Sequence, residues 1–374
     1  MTPENQQDHD AIRPAEWGAI VLLVGLALML ASSFWGQATD DAFITYRYAQ
    51  KWMETGEFRF NDDISYGITA PGYAMLLATV ASLGAPLGLD VPGSGSLLSL
   101  LCLLYLTGLI WRFTRRSASG SVRLLPLVVG VVLLTMPLML GMWGSENMVA
   151  ASLVTSSALM LFEKDRPALA GFLAFLGIVI RMDAAVGALI IGLVAVARSR
   201  RVPWAFGLAG VLPLVVWLPF LQSHFGSVIP ATLEAKRLIV TPTYPSYTAQ
   251  EWSYLRWALS ETACWNILGL AVIGLGTTLR RAGSRWPIVL SLGLWSLTQE
   301  VLYRQLGIPC GAWYHLVSLV SLLTMAGMGA VAVGLFVERL LPQGVKGRGP
   351  GAGRARPWLW SQPWARSGGL PSGV

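Results

Sequence analysis

Two pairs of adjacent carboxylates are the residues of this sequence best suited to proton-transfer chemistry. Asp40 and Asp41 form the first pair, and Asp62 and Asp63 the second, in a 374-residue chain that is 54% hydrophobic and 13% charged. Both pairs lie in the stretch of residues 37–73, which directly follows a long apolar run, and ionisable groups at a membrane boundary are costly to hold there. A carboxylate can take a proton from a hydroxyl, and adjacent carboxylates also suit Mg²⁺ or Mn²⁺, so a metal at Asp40 and Asp41 stays an open alternative. The plainer interpretation is a solvated loop between two membrane helices.

The residues that directly follow the first acidic pair have an amphipathic pattern. They read AFITYRYAQKWM over positions 42–53. This pattern predicts a helix that lies at the membrane interface, with Phe43, Tyr46 and Tyr48 as interfacial anchors. Such a helix would hold the acids at the membrane surface.

The whole stretch of residues 37–73 resembles a known family. The matching residues are Asp40-Asp41-Ala-Phe-Ile-x-x-Arg47-Tyr-Ala, then Gly56, Phe60-Asn61 and Gly67-x-Thr69-x-Pro71. They resemble the first outer loop of membrane glycosyltransferases of the GT-C fold, which use polyprenyl-phosphate sugars as donors. In particular they resemble the terminal arabinofuranosyltransferase-like and mannosyltransferase-like bacterial branch.

The resemblance implies roles for residues of this loop. It makes either Asp40 or Asp41 the catalytic base and leaves open which one. It assigns contacts with the donor or the acceptor to Arg47, Tyr48, Asn61 and Thr69. Ala70 stands where the family commonly has Asn, so the sugar is left open.

A second match falls at residues 224–237. The retained residues are Gly226, Pro230, Thr232, Ala235 and Lys236. A lipid-phosphate donor presents a phosphodiester at the membrane surface, and a cation there binds its charge and stabilises the polyprenyl phosphate as it leaves. The resemblance makes Lys236 the first candidate for this role and Arg237 the second. Interfacial cations that extend to the membrane surface are the alternative.

Further candidates lie at the predicted outer ends of later spans. Glu146 follows Gly and Ser, which resembles a Ser-Gly-Met-Glu sequence in the related branch, and would orient the acceptor or the base; a helix cap is the alternative. Arg181 and Asp183 could simply form a buried pair, but the resemblance makes Arg181 a donor-phosphate candidate. His315, beside two aromatic residues, is a candidate for a hydrogen bond to the phosphate.

Basic residues concentrate in alternate loops, and the positive-inside rule places those loops in the cytoplasm. The segment 71–89 cannot then be a span, because the cluster Arg112–Arg123 would land outside. It is predicted to be a second juxtamembrane helix, as in GT-C enzymes. The fold expected is all-α and polytopic, with spans near residues 17–35, 95–111, 124–142, 147–162, 167–180, 184–197, 203–222, 262–279, 287–303 and 312–337.

The expected domain organisation is a cytoplasmic segment 1–16, a GT-C-like membrane domain 17–338 and a disordered basic tail 339–374. The formal charge of +7 lies mainly in the cytoplasmic loops, so it does not indicate nucleic-acid binding. Cys102 lies in an apolar run. Pairing of Cys264 with Cys310 is open, with two small apolar residues as the favoured interpretation.

The function predicted is an inverting glycosyltransferase that moves a sugar from a polyprenyl-phosphate donor to a hydroxyl of an envelope glycan, lipid or protein. It would sit in the bacterial inner membrane with its active site facing the periplasm or exterior. Membrane lipid, the donor and the acceptor are the expected partners. No cofactor is firmly implied, although a divalent cation is possible. The alternatives are a transporter or flippase of lipid-linked sugars, which would show inverted repeats and midplane charges, or a catalytically silent relative that acts as a scaffold.

Overall fold

The computed structural model describes residues 14–38, 40–61, 67–115, 122, 125–136, 140–232, 235, 261–280, 286–307 and 312–340. Of Asp40 it describes the backbone alone. The chain divides into two compact units, Met1–Leu335 and Phe336–Val374. Within the second unit the described residues are 336–340, which end the last helix.

Twelve α-helices make up the described part of the chain. They are α1 Pro14–Ser33, α2 Asp40–Thr55, α3 Pro71–Gly84, α4 Val91–Arg115, α5 Leu125–Thr135, α6 Glu146–Phe162, α7 Pro167–Ile180, α8 Ala184–Ser199, α9 Trp204–Phe225, α10 Glu261–Arg280, α11 Trp286–Leu306 and α12 Leu316–Leu340. A short 3₁₀ turn at Ala85–Leu87 follows α3, and another at Ala312–His315 precedes α12. A helix corresponds to each of the ten predicted spans, and α2 and α3 are the two additional helices between the first two of them.

Four helices, α1, α4, α9 and α12, are long and apolar enough to cross a membrane. Because a bilayer core requires about 20 apolar residues of helix, the chain is an integral membrane protein. Four shorter apolar helices, which include α6, α7 and α8, accompany them. The number of helices that cross the membrane stays a prediction.

The interfacial helix α2 differs from its predicted orientation. Phe43 is 47% exposed, as expected of an anchor, but Tyr46 and Tyr48 are only 2% and 1% exposed. Both tyrosines therefore face the protein rather than the membrane surface. The reason is helical geometry, since the spacings of three and four residues place Ala42, Thr45, Tyr46, Tyr48 and Ala49 on one broad buried face.

The third predicted span is shorter than expected. Residues 124–142 were predicted to be one helix, but α5 ends at Thr135, and residues 141–144 form turns that lead to α6. Pro137 follows two residues later, and a proline disfavours the helical conformation of the residue before it. Leu140 is again helical, and the turns at residues 141–144 lead directly to Ser145 and Glu146.

The bundle has two chemically different ends. At one end, here called the basic end, Glu16 at the start of α1 pairs with Arg115 at the end of α4. Arg112 of α4 pairs with Glu163 just after α6. At the other end, here called the site end, the chain after α1 meets the start of α4, where the Gly36 amide donates to Ser96 Oγ at 3.0 Å.

Candidate active site

A cleft opens at the site end, where the chain segments around α2, α6 and α7 meet. It holds about 560 Å³ of space between atoms, including space open to solvent. Its walls are formed by Asp41, Ala42, Ile44, Thr45, Gly67, Ile68, Thr69, Ser145, Glu146, Asn147, Arg181 and Thr232. This cleft, here called the main cleft, therefore brings together residues that are up to 191 positions apart in the sequence, from Asp41 to Thr232.

The first acidic pair lies at the entry to α2. Asp40 begins the helix and Asp41 follows it. The Asp41 side chain is exposed and lines the main cleft. A carboxylate in the first turn of a helix lies near the positive end of the helix dipole, which favours its charged form. A charged carboxylate at a cleft wall can act as a base.

Glu146 begins α6 on another wall of the main cleft and is 9% exposed. Its Oε1 accepts a hydrogen bond from Arg181 Nη1. Arg181, at the end of α7, also donates through Nε to Asp183, with distances of 2.8 and 2.7 Å to its two carboxylate oxygens. One buried guanidinium is therefore shared by two carboxylates.

A hydrogen-bond chain continues from this group into α11. The Tyr303 hydroxyl donates to Asp183 Oδ2, and Gln299 Nε2 donates to the Tyr303 hydroxyl at 3.2 Å. The Arg181 guanidinium also lies 5.7 Å from the centre of the Tyr314 ring, which is a cation–π distance. Helices α6, α7, α8 and α11 and the 3₁₀ turn before α12 therefore fix the position of this arginine together.

The turn before Glu146 is held by tyrosines from both interfacial helices. The hydroxyls of Tyr46 and Tyr73 both donate to the Gly144 carbonyl, at 3.1 and 2.9 Å. The Gly144 amide donates to Ser99 Oγ of α4 at 2.8 Å. Helices α2, α3 and α4 thus fix both backbone polar groups of Gly144, two residues before Glu146.

Close approach of Tyr46 to this turn requires two glycines. A Cβ added at Gly95 of α4 or at Gly144 would overlap the Tyr46 hydroxyl. Gly144 also has a φ of +80°, which L side chains rarely adopt. Burial raises the pKa of Tyr46 well above its usual value, and the charge of Glu146 raises it further. The hydroxyl therefore stays protonated as a donor.

The first loop is held against α9 by a cluster of aromatic rings. His224 Nε2 accepts a hydrogen bond from the Phe58 amide at 3.1 Å. The Phe58 ring, which is fully buried, lies 4.6 Å from Trp52 and 6.1 Å from Phe220 between ring centres. This cluster fixes the far end of the segment that carries Asp41.

The remaining predicted site residues have different surroundings. Thr69 lines the main cleft. Arg47 donates to the Phe60 carbonyl at 3.0 Å, and Tyr48 lies 5.9 Å from the Phe60 ring, so both support the loop rather than face the main cleft. Asn61 is exposed at the end of a described segment.

His315 is 6% exposed, and its Nδ1 lies 2.9 Å from Glu300 Oε1. It is not among the residues that line the main cleft. Lys236 and Arg237 lie outside the described residues, as do Cys310 and the side chain of Cys264. Among the described residues, no group of three or more His, Cys, Asp or Glu side chains could hold a metal ion.

Sequence reasoning missed several residues of the site. Tyr73, Ser99, Asn147, Gln299 and Tyr303 were not candidates. A partial signal exists for Ser99, because the small-residue run at positions 93–96, Gly-Ser-Gly-Ser, precedes it by three residues in α4 and permits close helix packing. Tyr303 and Gln299 give no local signal, since a helix with a few polar residues is ordinary.

The comparisons with known proteins support the fold. No family model matches the chain, and no curated protein matches it. Among solved structures, it is similar to ArnT from Cupriavidus metallidurans bound to undecaprenyl phosphate, with a TM-score of 0.61 and 16% sequence identity over 84% of this chain. The apo state of the same protein gives a TM-score of 0.58 and 16% identity over 88% of this chain.

The chain spans about 60% of the length of these ArnT structures. At this identity the likeness shows the fold alone. That fold is the GT-C membrane fold, so the predicted fold class is confirmed. The arabinofuranosyltransferase-like branch stays a prediction.

Proposed function

We propose that this protein is an inverting glycosyltransferase that moves a sugar from a polyprenyl-phosphate donor to an acceptor hydroxyl. The observation that carries the proposal is the main cleft, where Asp41, Glu146 and Arg181 from three separate segments meet in a GT-C fold. Two carboxylates in one cleft, one of them held in place by an arginine, provide a base and a group that can orient a substrate hydroxyl. The undecaprenyl phosphate bound to ArnT supports a lipid-phosphate donor for this chain as well.

Asp41 is the proposed base. As the acceptor oxygen forms a bond to the anomeric carbon, its proton moves to the Asp41 carboxylate. The bond between the anomeric carbon and the phosphate oxygen breaks, and its electron pair leaves with the polyprenyl phosphate. Attack from the face opposite the leaving group inverts the configuration. Asp40 is the alternative base, because it begins the same helix one residue earlier.

Glu146 and Arg181 are proposed to orient the substrates. The Glu146 carboxylate accepts one hydrogen bond from Arg181 and lines the main cleft, where it can accept a further bond from a substrate hydroxyl. Arg181 is shared between two carboxylates, so it supplies little net positive charge. The leaving phosphate therefore requires further cations, and we assign this role to Lys236 and Arg237.

Lys236 follows Thr232 by four positions, and Thr232 lines the main cleft. The two cations would bind the phosphodiester and stabilise the charge that develops as it leaves. The reaction is proposed for the extracytoplasmic face of a bacterial inner membrane, because the positive-inside rule places the basic end in the cytoplasm. The acceptor would be a glycan, a lipid or a protein of the cell envelope.

The test is release of polyprenyl phosphate from synthetic polyprenyl-phosphate sugars by purified protein with envelope extract as acceptor. We expect Asp41→Asn to lower turnover by about 10²- to 10⁴-fold, the usual contribution of a general base. Glu54→Gln is the matched control, since Glu54 lies on the same helix and pairs with Lys51. Asp40→Asn and Lys236→Ala complete the series.

The outcomes separate the assignments. Collapse of turnover in Asp40→Asn with activity retained in Asp41→Asn would transfer the role of base to Asp40. A wild-type protein that binds the donors but turns over none of them would contradict the enzyme assignment and favour the transporter or scaffold alternative.

A further inference from the structure

A second, smaller cleft lies behind the main cleft, and Asn147 and Arg181 line both. It holds about 250 Å³ of space between atoms, including space open to solvent. Its other walls include Ala150, Ala151, Ala184, Trp295 and Gln299. Most of these side chains are small or apolar, so the few polar atoms determine what the cleft can hold.

Two polar side-chain atoms of residues that line the cleft have no hydrogen-bond partner among the described residues. They are the indole Nε1 of Trp295 and the amide Oε1 of Gln299. Trp295 is 4% exposed and Gln299 is 6% exposed, so both side chains are more than nine-tenths buried. The two residues are four positions apart on α11 and therefore lie on the same face of the helix.

The hydrogen-bond chain behind Arg181 fixes the orientation of the Gln299 amide. The single proton of the Tyr303 hydroxyl goes to Asp183, so this oxygen can only accept from Gln299. Gln299 must therefore turn its Nε2 to Tyr303, and its Oε1 is left as an acceptor. The indole Nε1 of Trp295 is a donor only.

A buried donor and a buried acceptor without partners each cost free energy until they are satisfied. A hydroxyl group satisfies both, because it donates one hydrogen bond and accepts others. A phosphate oxygen would be repelled by Oε1, and a metal ion would be repelled by the indole N–H. A carbonyl could pair with Trp295 but not with Gln299. The chemistry of the cleft therefore favours a group that both donates and accepts a hydrogen bond, as a hydroxyl does.

We propose that this cleft is a subsite for a hydroxyl of the donor sugar, held by Trp295 and Gln299. The inference rests on the proposed function and specifies it further. A sugar bound beside Glu146 in the main cleft would extend one hydroxyl past Arg181 and Asn147, which both clefts share. The small side chains of Ala150, Ala151 and Ala184 leave room for it.

The test compares binding of farnesyl phosphate with binding of its arabinofuranosyl, mannosyl and glucosyl esters and each of their monodeoxy analogues. In the wild type we expect one deoxy position of the best-bound sugar to weaken the Kd about tenfold. In Gln299→Leu and Trp295→Phe this penalty disappears, while the Kd of farnesyl phosphate changes less than about twofold. Gln305→Leu, an exposed glutamine of the same helix, keeps the penalty.

A merely structural role gives a different result. Damage to the fold would weaken farnesyl phosphate and all its esters alike, and would overturn the inference. The inference would also be overturned if no monodeoxy analogue bound the wild type more weakly than its parent sugar ester. Water alone would then fill the cleft. A wild type that binds neither farnesyl phosphate nor any ester would overturn the proposed function and this inference together. If the wild type binds farnesyl phosphate and its sugar esters with the same Kd, the inference is overturned and the proposed function is not.

Discussion

The two ends of the bundle both bury charged side chains, but they pair them differently. At the basic end, Arg115 Nε and Nη2 bond Glu16 Oε1 and Oε2 at 2.9 and 3.1 Å, so the planar fork of the arginine matches both oxygens of one carboxylate. At the site end, Arg181 divides its donors between Glu146 and Asp183. Neither Glu16 nor Arg115 lines either cleft.

This difference indicates what each group does. A matched pair of opposite charges is neutral and joins α1 to α4. A cation shared between two carboxylates leaves net negative charge beside the main cleft, and that charge is available to a substrate. Burial of charge alone would not distinguish the two ends, because both arginines are less than 10% exposed.

The largest effect on stability is expected at the basic end. Arg115→Leu leaves the Glu16 carboxylate buried without the guanidinium that bonds both of its oxygens. Loss of one partner of a buried ion pair lowers the free energy of unfolding by about 3–5 kcal/mol. Glu16→Leu together with Arg115→Leu should recover most of this loss, because no buried charge remains. Unfolding in a detergent–denaturant titration measures both. A double variant as unstable as the single one would contradict the expectation.

The second largest effect is expected on turnover, and it distinguishes Arg181 from Arg115. Arg181→Lys keeps the charge but cannot bond two carboxylates with one planar group. We expect turnover to fall about 100-fold, because small misplacement of substrate-orienting groups has effects of this size. Arg115→Lys should lower the unfolding temperature and leave turnover per folded molecule unchanged. Equal loss of turnover in both variants would remove the distinction between the ends.

A smaller effect tests how the site end positions Glu146. Gly144→Ala adds a Cβ at a φ of +80° and against the Tyr46 hydroxyl. The left-handed conformation alone costs about 1–2 kcal/mol for an L residue, and displacement of Tyr46 adds to it and lowers turnover. Gly36→Ala is the matched control, because Gly36 has a φ of +73° with nothing within 4 Å. Gly36→Ala should lower the stability of the fold through the same backbone strain, without loss of turnover.

The smallest effect concerns the two tyrosines on the Gly144 carbonyl. Burial raises the pKa of Tyr73 well above its ordinary value, and the same holds for Tyr46. A phenol whose folded pKa is raised gives stability that is complete below its unfolded pKa of about 10 and is lost as pH rises toward the folded value. Tyr73→Phe should cost about 1 kcal/mol at pH 8.

Unfolding temperatures of wild type and Tyr73→Phe between pH 8 and 11 measure this effect. The wild type should lose stability more steeply above pH 10 than the variant, because it alone has the buried Tyr73 phenol to ionise on unfolding. Parallel curves would show that the Tyr73 hydroxyl is not a buried donor to Gly144.

Much of the fold could be predicted because local patterns specify it. The placement of basic clusters in alternate loops predicts that residues 71–89 are not a span, and the structure has the helix α3 and a 3₁₀ turn there. The third span was predicted as one helix over residues 124–142 because its composition is apolar throughout, while α5 ends at Thr135. Tyr46 and Tyr48 were placed at the interface because composition does not show which face of α2 is buried.

The site was only partly predictable. Asp41, Glu146, Arg181 and Thr69 were candidates and meet in the main cleft. The pairing of Arg181 with Asp183 was expected as an alternative, but its second bond to Glu146 joins residues 35 positions apart. Tyr303 reaches Asp183 across 120 positions. No short motif encodes contacts of this range.

The sequence by itself determined the membrane character, the order of helices and the polar residues that stand out against an apolar background, because these depend on hydropathy, charge and local spacing. Only the tertiary structure decided which of those residues share a cleft and which tyrosines hold the turn before Glu146. It also decided that Trp295 Nε1 and Gln299 Oε1 have no hydrogen-bond partner among the described residues. Hydrogen bonds between distant segments depend on how helices pack. That packing is a property of the whole chain, and no single stretch specifies it.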